Sequence, residues 1–165
     1  MTDSIAARLA ELGIHLPDPA APVAAYVPAV EVGGLLYISG QLPFREDGSL
    51  ITGRLGEDYD VSHGFEAAER CGVMLIAQMK KALGSLDRVE RIVRLGAFVA
   101  STPHFTEQPQ VANGASELME KVFGDARRAA PPSRPRSRPA TASSWTCRRA
   151  ATGRRWSSMT RGWTG

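Results

Sequence analysis

Two cysteines and three histidines are the side chains of this 165-residue chain best suited to nucleophilic or metal chemistry, and their spacing argues against both. Cys71 and Cys147 stand far apart and neither has a CxxC partner, so a structural disulfide is not expected and the usage fits a reducing compartment. His15, His63 and His104 make no HxxxH or HExxH pattern, and histidines scattered in this way are usually surface or loop residues. No metal and no cofactor is expected. Among the many polar and turn positions, nothing in type or spacing alone marks Tyr26, Ser39, Gly40 or Asn113 for chemistry. Taken one at a time, each has a structural explanation. Tyr26 can anchor the strand that follows it, Ser39-Gly40 can be a strand-end turn, and Asn113 can be an exposed helix residue.

The elements that must position them are legible in the apolar spacing. Ile5, Leu9 and Leu12 form one stripe of a short helix that Ser4 can cap and Gly13 can end. After a Pro-rich stretch, two β-rich runs flank Gly33-Gly34, the signature of a hairpin with a primed turn. In the second run Leu36 and Ile38 share one face and Leu35 and Tyr37 the other, which predicts a strand buried on both sides. Residues 41–56 read as loop, with an edge strand at 49–52. A long helix is predicted from about Val61 to Leu83, capped by Asp60 and stopped by Gly84, with Phe65, Ala68, Gly72, Leu75, Met79 and Leu83 at helical spacing. Arg91 to Ala100 reads as a strand with Val93, Leu95, Ala97 and Val99 on one face. Thr106 can cap a second helix with Pro109 in its first turn, Leu118, Met119 and Val122 as its stripe and Phe123-Gly124 at its end. The order implies an α+β layer with two helices on one face of a sheet, and the apolar residues on the other sheet face imply oligomerisation or further strands.

Charge divides the chain at Asp125. Residues 1–125 carry ten Lys and Arg against seventeen Asp and Glu, a net −7, whereas residues 126–165 carry ten Arg and no acid, a net +10. The overall +3 therefore says nothing about the folded surface, and a nucleic-acid-binding body does not follow from it. The tail lacks Leu, Ile, Val, Phe and Tyr, so it has little to offset the entropy of ordering. A single domain over 1–125 and a disordered or aberrant tail over 126–165 are expected. No apolar stretch reaches membrane-span length and no basic-then-apolar leader opens the chain, so a cytoplasmic protein without membrane contact is expected.

In register, the pieces resemble the Rid (reactive intermediate deaminase, YjgF) family. The resemblance is carried by Ala25-Tyr26-Val-Pro-Ala-Val30, Leu36-Tyr-Ile-Ser-Gly-Gln-Leu-Pro43, Gly56-Glu-Asp58, Gly64-Phe-Glu-Ala-Ala68, Gly84-Ser-Leu-Asp-Arg-Val89, Phe105-Thr-Glu-Gln-Pro109 and Asn113-Gly-Ala-Ser-Glu-Leu118. It is nearest to the branch labelled endoribonuclease-like and chorismate-mutase-like, and spans roughly residues 4 to 128. The resemblance implies a chorismate-mutase-like subunit with a mixed sheet, assembly into a homotrimer, and clefts between subunits. It implies hydrolysis of reactive enamines and imines to 2-oxo acids and ammonia, with an Arg clamping the substrate carboxylate and a late carboxylate positioning water. Carried onto this sequence, Tyr26, Ser39, Gly40 and Asn113 match cleft positions for a 2-imino or 2-oxo acid. RNA cleavage or binding, and ligand binding without catalysis, are the alternatives that the resemblance leaves open.

The resemblance breaks after Phe123-Gly124. Pro131-Pro132 stands where the clamp Arg belongs, neither Arg127 nor Arg128 matches it, and the last two strands with their Glu have no counterpart. The catalytic residues are therefore not identified, and little activity is expected of the chain as written. The Arg-, Ala-, Pro- and Ser-rich tail has the composition of a GC-rich gene read out of frame. Trp145-Thr146-Cys147 must be TGG-ACN-TGY, which one base earlier reads Leu/Val/Met, Asp, Leu/Val/Met. A frameshift between Phe123 and Arg134 is the favoured origin, and an evolved Arg- and Trp-containing segment for single-stranded RNA is its rival.

Overall fold

The computed structural model describes residues 5–19 and 26–124, together with the backbone of 145–149. Helix α1 (Ile5–Glu11) precedes a hairpin of β1 (Ala29–Val32) and β2 (Leu35–Ile38), and the long helix α2 (Val61–Leu83) follows. A 3-10 turn (Leu86–Arg88) leads into β3 (Val89–Leu95), then α3 (Gln108–Phe123) and β4 (Trp145–Arg149). This is the expected α+β layer, with α2 and α3 on one face of a four-stranded sheet.

The hairpin forms as the glycines require. Gly33 and Gly34 adopt φ of 59° and 76°, and the pairing runs from Val32 opposite Leu35 to Ala29 opposite Ile38. Leu36 and Ile38 point into the core at 2% and 3% exposure, so the inward face of β2 is the predicted one. Its other face differs from expectation: Tyr37 is 44% exposed, because no described layer lies over it.

The strand order is β1-β2-β4-β3; the four named strands pair antiparallel, and Leu55 adds isolated parallel bridges to Tyr59 and Ser101. Residues 145–149, assigned to the tail, supply the strand between β2 and β3. Sheet hydrogen bonds join backbones, and the facing edges of β2 and β3 need partners whatever side chains bring them. The rest of the expected tail, 126–144 and 150–165, lies outside the described residues.

The strand at β3 also shifts. It spans Val89–Leu95, and its register against β4 slips between Val89 and Arg91 and again between Ile92 and Arg94. Those slips turn a two-residue alternation into a three-residue one, so Val89, Ile92 and Leu95 are buried and Val93 faces out. Residues 49–52 form no edge strand; Leu50 makes an isolated bridge to Phe44.

Helix α2 matches its predicted span and caps. Asp60 Oδ1 accepts from the His63 backbone N–H at 3.1 Å, and the Gly84 N–H closes the far end on the Lys80 carbonyl at 2.8 Å. Helix α3 begins one residue later than expected: Glu107, not Thr106, is at the N-cap and its side chain caps nothing. Leu75, Ile76 and Met79 of α2 meet Leu118, Met119 and Val122 of α3 above Leu36 and Ile92 of the sheet. The helices cross closely at Gly114, where an added Cβ would collide with the Phe65 carbonyl. Helix α1 docks through Ile5 and Leu9, and the Ile5 N–H donates to Asp87 Oδ1 at 2.9 Å; Ser4, its expected cap, is outside the described residues. Among the described residues no helix is long and apolar enough to cross a membrane.

Candidate functional site

Two regions of the fold hold groups that could do chemistry. The first is the end of the hairpin. Beyond β2 the Ser39 N–H continues the ladder by donating to the Pro28 carbonyl at 2.9 Å. The Gln41 side chain turns back, its Nε2 donating to the carbonyls of Ser39 and Gly40 at 3.1 and 3.2 Å. These bonds fix the strand end, and among the described residues the buried Ser39 Oγ has no hydrogen-bond partner. Such a hydroxyl costs about 1–3 kcal/mol unless something completes it. Tyr26 is 47% exposed ahead of β1, and Asn113 is exposed on α3. None of Tyr26, Ser39, Gly40 and Asn113 lines either of the two cavities described next.

The second region is a cavity of about 930 Å³ between the loop 41–55, the segment 97–103 and the two helices. Its floor is built from small side chains one helical turn apart: Gly64, Ala67, Ala68 and Cys71 on α2, facing Val111, Ala112 and Ala115 on α3. The wall carries Leu42, Leu50 and Ile51. Cys71 is a free thiol whose Sγ donates to the Gln41 carbonyl at 3.4 Å, and burial pushes its pKa up to about 12. It is a packing residue, because a thiol held protonated is a poor nucleophile.

At the mouth of this cavity the Tyr59 and His63 rings lie 4.8 Å apart at 41°. Both rings also line a shallower, neighbouring cavity of about 510 Å³, whose rim carries Glu57, Asp58, Asp60 and Glu107 together with Phe105. The guanidinium here is Arg54, which pairs with Glu57 at 3.1 Å and donates through Nε to the Ser101 carbonyl at 3.3 Å. Asp60 is held well below the usual carboxylate range by the Ser62 hydroxyl and then by His63, whose Nδ1 sits 2.8 Å away. His63 therefore serves the first turn of α2, and among the described residues no group of three or more His, Cys, Asp or Glu side chains could hold a metal.

Sequence reasoning passed over this second region. Residues 41–56 read as loop and the small residues of α2 as core, although the paired small stripes on α2 and α3 were a usable signal for a gap between packed helices.

Comparison with known proteins agrees with the fold. The sequence model of the family described as "YjgF/chorismate mutase-like, putative endoribonuclease" matches residues 6–134. Protein TCP17 of Trypanosoma cruzi is 50% identical over 121 residues, covering 73% of this chain and 76% of that protein. The crystal structure of Atu1372 from Agrobacterium tumefaciens, of unknown function, superposes with a TM-score of 0.77 at 42% identity, covering 90% of this chain and 95% of that one. A crystal structure from Shewanella oneidensis MR-1, described as a putative endoribonuclease, superposes at 0.81 with 32% identity, covering 88% and 99%. By sequence and by fold, this chain belongs to the YjgF/chorismate mutase-like family.

Proposed function

We propose that this chain is the subunit of a cytoplasmic homotrimer built to hydrolyse reactive 2-enamines and 2-imines, and that as written it performs this reaction weakly. The observation that carries the reading is the Ser39 hydroxyl, a buried polar group at a strand end whose partner a substrate or a neighbouring subunit can supply. The outer sheet face supports assembly: Val30, Val32, Tyr37 and Val93 are all exposed on it, in keeping with a surface that another copy covers.

In the reaction, water adds to the imine carbon and the resulting carbinolamine expels ammonia, leaving the 2-oxo acid. Tyr26 and Ser39 would orient the substrate, with Gly40 letting it approach the backbone and Asn113 at the edge. The clamp Arg and the water-positioning Glu have no counterpart in this sequence, and loss of an acid/base group costs about 10²–10⁴ in rate. Release of 2-oxo acid from freshly generated 2-iminopropanoate tests this directly. The chain as written is expected to show little turnover, and a version with its frame restored after Phe123 is expected to regain it. Ser39→Ala in the restored chain should lower kcat/KM at least about tenfold, the value of one charge-assisted or buried hydrogen bond. Full turnover by the unrestored chain would overturn the reading. Light scattering is expected to show a trimer, with Val30→Lys reducing it to monomer.

RNA binding is the second reading, favoured by the relatives' endoribonuclease descriptions and by ten Arg in residues 126–165. The net −7 of residues 1–125 opposes it for the body. Filter binding with and without 126–165 separates the two, since only a tail-borne activity is lost on truncation.

A further inference from the structure

The two cavities on the helix side share Tyr59 and His63, so an apolar chamber of about 930 Å³ opens beside an acidic rim. The volume falls in the range of pockets that take small organic molecules, although this one is open on one side. The rim sets the sign of the molecule. Glu57, Asp58, Asp60 and Glu107 stand against the single guanidinium of Arg54, which Glu57 already engages at 3.1 Å. Asp60 keeps its charge to low pH, because the Ser62 hydroxyl and His63 both favour the ionised form. Tyr59 and Phe105 add aromatic faces beside the carboxylates, an environment that suits an ammonium group. The larger cavity is lined mainly by small and aliphatic side chains and a protonated thiol, with Arg54, itself engaged by Glu57, among its polar lining residues, and its mainly apolar surface suits an uncharged apolar body.

We propose that this composite cavity binds an amphipathic organic cation, an amine carried on a compact apolar body. The body fills the gap between α2 and α3, and the ammonium reaches past the Tyr59–His63 pair to the acidic rim. The site is separate from Ser39 and does not rest on the deaminase reading; a 2-imino acid, being an anion, is the kind of molecule it should reject.

Three nearly isosteric probes test this by calorimetric titration of the full chain at low salt: 4-phenylbutylamine, 4-phenylbutanol and 4-phenylbutanoate. The amine is expected to bind at least about tenfold more tightly than the carboxylate, with the alcohol between them, and the gap should narrow as salt screens the rim. Glu57→Gln with Glu107→Gln should remove most of the amine's advantage and leave the alcohol unchanged, while freeing Arg54 to improve the carboxylate. Ala67→Phe should abolish binding of all three by filling the chamber. The Glu57 and Glu107 changes lie at the surface, so they decide the matter even if Ala67→Phe does not fold. Equal or tighter binding of the carboxylate, no saturable binding of any probe, or amine binding indifferent to the Glu changes would each overturn the proposal.

Discussion

The seam between α2 and α3 and the outer face of the sheet have opposite relations between side-chain size and burial. The seam is lined by Gly64, Gly72, Gly114 and Ala115, all buried. The outer face displays Val30, Val32, Tyr37 and Val93, all large and all exposed. Burial follows from what lies opposite, and residue type alone does not decide it. At the seam, small residues let two helix backbones approach. On the sheet, the large residues have no described layer opposite them, and they stay exposed.

That contrast can be broken at its tightest point. Gly114→Val places branched carbons against the Phe65 backbone, which cannot yield as a flexible side chain would. The expected loss is about 3 kcal/mol or more, at the upper end of overpacking costs, read from the denaturation midpoint. A loss below about 1 kcal/mol would show that the helices can part without penalty.

Adjacent residues of β3 sharpen it. Ile92 is 1% exposed and Val93 is 38% exposed. Ile92→Ala should cost about 2–5 kcal/mol and Val93→Ala much less, measured by equilibrium denaturation. Equal costs would mean that the two register slips in β3 are misplaced.

The smallest expected effect lies at the end of the seam, where Asp60 caps α2. Its folded pKa is depressed, chiefly by the Ser62 hydroxyl and then by His63. The stabilisation is therefore present above the unfolded carboxylate value of about 3.9 and is lost as pH falls through the lower folded value. Thermal melts between pH 5 and 2 should show a shallower acid loss for Asp60→Asn than for the parent. A parallel decline in both would remove Asp60 from the account.

The sequence made the helices and the hairpin readable because their signals are local. Asp60 and Gly84 bracket α2, Gly33-Gly34 closes the hairpin, and Leu118, Met119 and Val122 mark the buried stripe of α3. What it hid depends on partners distant in the chain. The three-residue burial period of β3 arises from slips against β4, and β4 itself, Trp145–Arg149, has no apolar alternation to announce it. The orphaned Ser39 hydroxyl could be named as a candidate, but its isolation is a property of the packed strand end. The acidic cavity was hidden for a similar reason, since its rim and floor come from four separate segments.

The bond from the Ile5 N–H to Asp87 spans 82 positions of the chain. Helix α1 has seven residues, too few to persist alone in water, and its first turn takes a cap from the opposite end of the fold's first half. Ordering it therefore requires closing a long loop, whose entropic cost is met only once the 3-10 turn that carries Asp87 is already in place. In folding terms α1 is a late arrival: it should dock after α2, the 3-10 turn and β3 have formed, and should be the first helix to exchange its amide hydrogens when the fold opens locally.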